Sequence, residues 1–356
     1  MIHESVRMAM SNPILQPDID PDFFKLYQET TSLVAKLLKT KNETLILSGE
    51  GILGLEAACA SLIEEGDRVL IISNGIFGEG FGDFAKMYGA ECVFYHQDFR
   101  KPIDIFKLSS FLEKDHDFKL ATVVHCETPS GLINPIERIC PLLRKYHILS
   151  VVDAVSSIGG MEIQTDDWSI DMILGGSQKC LSAPPGLTFL AMSAEAKQAM
   201  RERKTPIRGF YINLLTWEGY SEQMWFPYTQ PVSDLYAFNA ALKRWFEGEN
   251  VIAKHEVAAN RTRKELLELG FELYPIESPS NTVTAVIVPN GFDEAAFREA
   301  LLKEHGIMIT GAFGPLKGKV LRIGHMGENI NEDYLDRTLC AIKTLVQTDE
   351  RFRIKP

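Results

Sequence analysis

The chain has 356 residues, 45% of them hydrophobic and 24% charged, the make-up of a globular protein too long for one ordinary core, so two domains are expected. A formal net charge of −11 argues against an extended nucleic-acid surface, which needs clustered Lys and Arg, and mainly favours solubility. Six cysteines without a C-x-x-C pair read as reduced residues of a cytoplasmic protein. The N-terminus lacks an apolar signal core, and no run approaches the about 18 apolar residues of a membrane span.

In chain order, Leu45-Ile46-Leu47 leads into a glycine-rich turn, and Leu55 to Ile63 follows as a helix buried on most of its surface. Val69 to Ile72 reads as a strand, followed by Gly75-Ile76-Phe77-Gly78 and a helical stretch to Tyr88. Cys92 to Tyr95, Ala121 to Val124, Leu149 to Val152, Met172 to Leu174 and Thr188 to Ala191 are further strands. Short apolar strands separated by helices predict an α/β unit, a mainly parallel sheet covered on both faces. The pattern changes near residue 240, which divides the chain into a large unit, 1–245, and a small C-terminal α+β unit, 246–356. The small unit is expected to hold a long helix from Val251 to Leu269, a strand from Thr282 to Val288 and a helix from Phe292 to His305. Hairpin-type strands at Ile307 to Ile309 and Val320 to Ile323 and a last helix from Asn331 to Val346 complete it.

Lys179 lies between a Gly-Gly turn and a Pro-Pro-Gly turn, in Gly175-Gly176-Ser177-Gln178-Lys179-Cys180-Leu181-Ser182-Ala183-Pro184-Pro185-Gly186. Asp153 ends an apolar strand, the edge at which ligands collect in open α/β sheets. Alone, Lys179 is an ordinary loop lysine and Asp153 a helix cap. Together they are what a pyridoxal enzyme needs, an amine for the aldehyde and an acid for the ring nitrogen. Ser48-Gly49-Glu50-Gly51 joins a strand to a helix, where backbone N–H groups can cradle an anion, although such turns are common. Phe77 between Gly75 and Gly78 could stack on a ring or simply fill the core. Arg322, at the end of a strand, could grip a carboxylate with two parallel bonds or form a structural ion pair. His325 beside it is more naturally a packing residue than a catalyst, and it has no metal-ligand spacing around it.

These segments together resemble the class V aminotransferases of pyridoxal-phosphate fold type I, in particular the alanine–glyoxylate and serine–pyruvate branch. The resemblance rests on ordered blocks over nearly the whole chain, among them Asn74-Gly75-Ile76-Phe77-Gly78, His125-Cys126-Glu127-Thr128-Pro129-Ser130-Gly131, Asp153-Ala154-Val155-Ser156-Ser157, Gly176-Ser177-Gln178-Lys179 and Gly318-Lys319-Val320-Leu321-Arg322-Ile323-Gly324. It implies a seven-stranded, mostly parallel sheet, pyridoxal 5′-phosphate as cofactor, small amino acids and 2-oxo acids such as pyruvate or glyoxylate as substrates, and a homodimer. Lys179 would be the Schiff-base residue, with Asp153 on the pyridine nitrogen, Phe77 over the ring and Val155 beneath it. Thr128 would bond the ring hydroxyl, and Gly49, Glu50 and Gly51 would line the phosphate cup. Gln178 and Thr229, the latter from the partner subunit, would reach the phosphate, and Arg322 would hold the substrate carboxylate.

Two positions depart from the family pattern. Glu50 falls in the phosphate cup, where a carboxylate repels a phosphate dianion, and Phe226 stands where many relatives have a phosphate-binding tyrosine. Both changes are similar to the pyridoxamine–pyruvate branch, in which unphosphorylated pyridoxamine is a substrate and not a bound cofactor, while Gln178 still fits a phosphate. The Pro-Gly-Pro segment that relatives carry is not found before Met8-Ala9-Met10. A lyase or desulfurase on the same scaffold would need a mobile cysteine or a histidine before the lysine, where this chain has Gln178. A ligand-sensing domain would need a helix-turn-helix module, for which the chain leaves no room.

Overall fold

The computed structural model describes residues 1–354. The strands of the first two thirds are β1 (Glu43–Ser48), β2 (Arg68–Ser73), β3 (Glu91–His96), β4 (Leu120–Val124), the short pair β5 (Cys126–Glu127) and β6 (Leu132–Ile133), β7 (Leu149–Asp153), β8 (Met172–Gly176) and β9 (Leu187–Met192). Seven of them form one sheet in the order β1-β9-β8-β7-β4-β2-β3. β2 pairs in parallel with β3 and β4, β4 with β7, and β7 with β8, whereas β9 runs antiparallel to both β8 and β1. Residues of β4, β8 and β9 are buried throughout, as a sheet covered on both faces requires, and only the edge strand β3 is half-exposed.

Helices cover both faces of this sheet. The helix Gly51–Leu62 begins four residues before the expected Leu55, because Glu50 caps it and accepts the Ile52 N–H at 3.2 Å. The helix Pro21–Leu38 starts behind an Asp20 cap, with proline in its first turn, and packs against the helix Val232–Glu247. No helix among the described residues is long and apolar enough to cross a membrane.

The remaining strands, β10 (Val283–Ile287), β11 (Thr310–Gly311) and β12 (Val320–Gly324), make a second sheet in the order β10-β12-β11, antiparallel throughout. With the helices Val251–Glu268, Glu294–His305 and Glu332–Thr348 it encloses its own core around Leu266, Phe297, Leu301, Leu321, Ile323 and Ile342. The strand expected at Ile307 to Ile309 is absent. Gly306 adopts a left-handed φ of 68°, and the Ile307 N–H closes the preceding helix by bonding the Leu301 carbonyl at 3.0 Å. That N–H is therefore unavailable to a ladder, and pairing starts only at Thr310.

Candidate active site

The site lies at the carboxyl ends of the parallel strands, the usual place for a ligand in such a sheet. Asp153 is the last residue of β7; it is 7% exposed, and its Oδ1 accepts the Val155 N–H at 2.9 Å. Burial pushes its carboxyl up to about 6, the Lys179 ammonium pulls it down, and the Glu50 carboxylate pushes it further up. Asp153 thus feels the charge of both Lys179 and Glu50.

Lys179 stands on the connection between β8 and β9, which local bonds hold rigid. The Ser182 N–H reaches the Lys179 carbonyl at 3.0 Å, the Ala183 N–H the Ser177 carbonyl at 3.0 Å, and the Ser177 hydroxyl the Pro184 carbonyl at 2.6 Å. The glycine turn after β1 docks onto this connection, with the Gly49 N–H donating to the Gly186 carbonyl at 2.7 Å. Gly49 has φ +152° and a side chain there would meet Leu53 at 2.6 Å, so the turn needs glycine. A methyl on Gly51 would come within 2.7 Å of Val155 Cγ2, which places the helix start directly against Val155. Gln178 buries its Oε1 without a hydrogen-bond partner among the described residues. An orphaned buried amide oxygen calls for a hydrogen-bond donor.

Phe77 and Thr128 come from the other side. Phe77 opens the helix Ile76–Met87, and Glu127 is buried beneath it. The Glu127 carboxylate accepts the Phe77 N–H at 3.2 Å and the Gly78 N–H at 2.6 Å. Burial outweighs those two bonds and pushes its carboxyl up to about 7. A methyl on Gly75 would collide with this carboxyl group, so glycine is what lets Glu127 approach. Thr128 is also buried and follows Glu127 directly. Asn134 ties this wall together, donating to Asn74 Oδ1 at 2.8 Å and to the Val124 carbonyl at 2.9 Å. Glu127 stood within a quoted motif but had no assigned role; its cue is an acid at a strand end with a Gly-x-x-Gly turn to cap.

Arg322 lies on β12 and donates from Nε and Nη2 to the Gly311 carbonyl at 2.9 and 2.7 Å. Burial lowers its pKa, and among the described residues no carboxylate pairs with it. The structural ion pair is therefore not formed; Nη2 also reaches Thr310 Oγ1 at 3.5 Å, which leaves Nη1 without a partner among the described residues. His325 bonds Thr284 Oγ1 and the Asn281 carbonyl, each at 2.9 Å, as a packing residue does.

Two expected positions lie apart from this cluster within the chain. The Thr229 hydroxyl donates to Asp18 Oδ2 at 3.2 Å on an exposed surface, beside a groove lined by Ile14 to Pro17. Phe226 is buried within its own chain, stacked on Phe24 at 4.3 Å and edge-on to Tyr27 at 4.9 Å. Its ring belongs to an aromatic core cluster.

The chain belongs to the class V aminotransferases: the family described as aminotransferase class-V matches residues 15–319. It is an aminotransferase of pyridoxal-phosphate fold type I, a class of enzymes that depend on that cofactor. The pyridoxamine–pyruvate transaminase of Mesorhizobium japonicum is 36% identical over 330 residues, 91% of this chain and 84% of that protein. The alanine–glyoxylate aminotransferase of Drosophila melanogaster is 31% identical over 96% of this chain and 89% of its own. Among solved structures, the ureidoglycine–glyoxylate aminotransferase of Bacillus subtilis superposes with a TM-score of 0.93 at 30% identity, covering 97% of this chain and 90% of that one. The pyridoxamine–pyruvate aminotransferase of Mesorhizobium loti does so at 0.91 and 34% identity, over 96% and 88%.

Proposed function

We propose that this aminotransferase passes an amino group to a small 2-oxo acid, pyruvate or glyoxylate, at a site built on Lys179 and Asp153. The observation that carries the reading is the buried Asp153 within reach of the Lys179 charge, with no carboxylate paired to Arg322 among the described residues. The residues present fit a pyridoxal group: an acid without an arginine partner among the described residues and a glycine cradle closed by Val155. Bound pyridoxal supplies an aldehyde that takes up the amino group and a ring that accepts the electrons of the broken Cα–H bond.

In this reading the Lys179 amine would hold the aldehyde and serve as the base and acid at the substrate's Cα. Asp153 would accept the pyridine N–H and favour the protonated ring. Phe77 and Val155 would pack against the ring, and Thr128 would bond its hydroxyl. Gly49, Gly51, Gln178 and a partner's Thr229 would line the phosphate end, and Arg322 would hold the substrate carboxylate. A lyase or desulfurase is not favoured, because Cys180 is buried and burial pushes its thiol up, the reverse of an activated nucleophile.

One observation favours a second reading, in which pyridoxamine itself is the donor and pyridoxal leaves. Glu50 caps the helix Gly51–Leu62, so a carboxylate already occupies the N-terminus that would receive a phosphate. Borohydride trapping followed by peptide mass separates the two. Attachment to Lys179 of a phosphorylated adduct supports the cofactor reading, an unphosphorylated adduct the second, and an unlabelled Lys179 that can be replaced by Ala without loss of turnover overturns both.

The enzyme is further proposed to act as a cytoplasmic homodimer. Exposed Ile14, Phe210 and Tyr211 border the Thr229 surface, with Tyr211 stacked on Tyr228 at 4.2 Å, and all six cysteines are free. The boundary between the two units is likewise proposed near the expected 245, where the helix Val232–Glu247 ends and a turn leads into the helix Val251–Glu268.

A further inference from the structure

We propose that Phe313 is the specificity-determining residue that limits the accepted 2-oxo acid to a short, uncharged side chain. The inference rests on the reading above, in which Arg322 holds the substrate carboxylate and Phe77 covers the cofactor ring. Phe313 is the side chain that touches both. Its ring lies edge-on to Phe77, centroids 5.8 Å apart at 76°, and the Arg322 guanidinium carbon is 5.8 Å from its centroid.

The backbone explains why the ring is held there. Arg322 donates two bonds to the Gly311 carbonyl, so the guanidinium is pinned to the same short segment that carries Phe313. Gly314 then turns the chain with φ +54°, and a methyl on it would sit 3.6 Å from Ile76 Cδ1, next to Phe77. The segment therefore bridges the small unit and the start of the helix Ile76–Met87. Phe313 remains 43% exposed despite these contacts, so part of its ring is open to a ligand.

A substrate reaching from Arg322 to the ring covered by Phe77 has to pass Phe313. The phenyl group offers van der Waals contact to a hydrogen or methyl substituent. It offers no donor to a second carboxylate, and it occupies the volume a longer chain would need. A hydrophobic wall of this kind discriminates by about 10–200-fold per methylene.

The test compares wild type with Phe313→Leu and Phe313→Ala, using pyruvate, 2-oxobutyrate and 2-oxovalerate as acceptors. The ratio of kcat/KM for 2-oxovalerate to that for pyruvate is expected to rise about 10-fold or more in the Ala variant, with Leu intermediate. Calorimetric binding of acetate and pentanoate to the same proteins gives a readout independent of turnover, and pentanoate should gain relative to acetate. Both ratios unchanged in Phe313→Ala, with wild-type turnover of pyruvate intact, overturn the assignment to Phe313. No wild-type turnover of pyruvate or glyoxylate overturns the acceptor reading beneath it.

Discussion

Glu127 keeps a carboxyl group fully buried with two backbone N–H donors and no cation beside it. Its pKa is raised from 4.5 to about 7, so its contribution to stability is complete below about 4.5 and is lost as the pH rises through 7. Glu127→Gln removes that dependence. Across this window the stability of wild type relative to Glu127→Gln should fall by on the order of 3 kcal/mol, as read by urea unfolding at several pH values. A flat difference would show that the carboxyl group does not titrate there. At this scale the strand-end position of Asp153 and the turn that holds Lys179 were legible, because both leave a local trace; their roles are the proposal made above. Glu127 was not, since its role depends on a helix start some fifty residues earlier. Nor was the burial of Phe226: alignment with a family position says nothing of the aromatic neighbours that enclose the ring.

Among the elements, the helix Gly51–Leu62 shows how tightly the cradle is built. Its first residue leaves no room for a side chain against Val155. Gly51→Ala should cost about 1–3 kcal/mol by overpacking and weaken retention of pyridoxal phosphate, measurable by thermal unfolding and by cofactor release on dialysis. Retention equal to wild type would separate Val155 from the cofactor site. Most strands were legible because each is a short apolar run bounded by turn residues. The failure at Ile307 to Ile309 has a local cause: the run looks like a strand, but Gly306 commits its first N–H to ending a helix. The start of the helix Gly51–Leu62 was missed for the opposite reason. Glycines suggest a turn, whereas Glu50 supplies the cap that lets helix begin among them.

For the whole molecule, the proposed homodimer would tie activity to association through the exposed apolar residues beside Thr229. Tyr211→Glu places a charge on that exposed surface. It should lower the apparent mass in analytical ultracentrifugation and reduce turnover together; a monomeric variant with full turnover would remove the partner's Thr229 from the site. The two-unit plan was visible from the change of pattern near residue 240, because separate cores impose separate periodicities. Contacts between the units, such as Phe77 with Phe313, join residues far apart in the chain and leave no local signal.

The single reversed strand, β9, has a consequence for how the parts come together. Because β9 returns directly beside β8, Lys179 is delivered by a ten-residue link between neighbouring strands, Ser177 to Gly186, where a parallel pair would need a long crossover. Asp153 lies on the next strand over, so amine and acid arise within one continuous stretch from Leu149 to Met192. Closing such short loops costs little chain entropy, whereas bringing Arg322 to the same place closes a loop well over a hundred residues long. The proposed amine–acid pair thus lies within one local stretch of chain, whereas the proposed grip on substrate depends on contacts made across the two units.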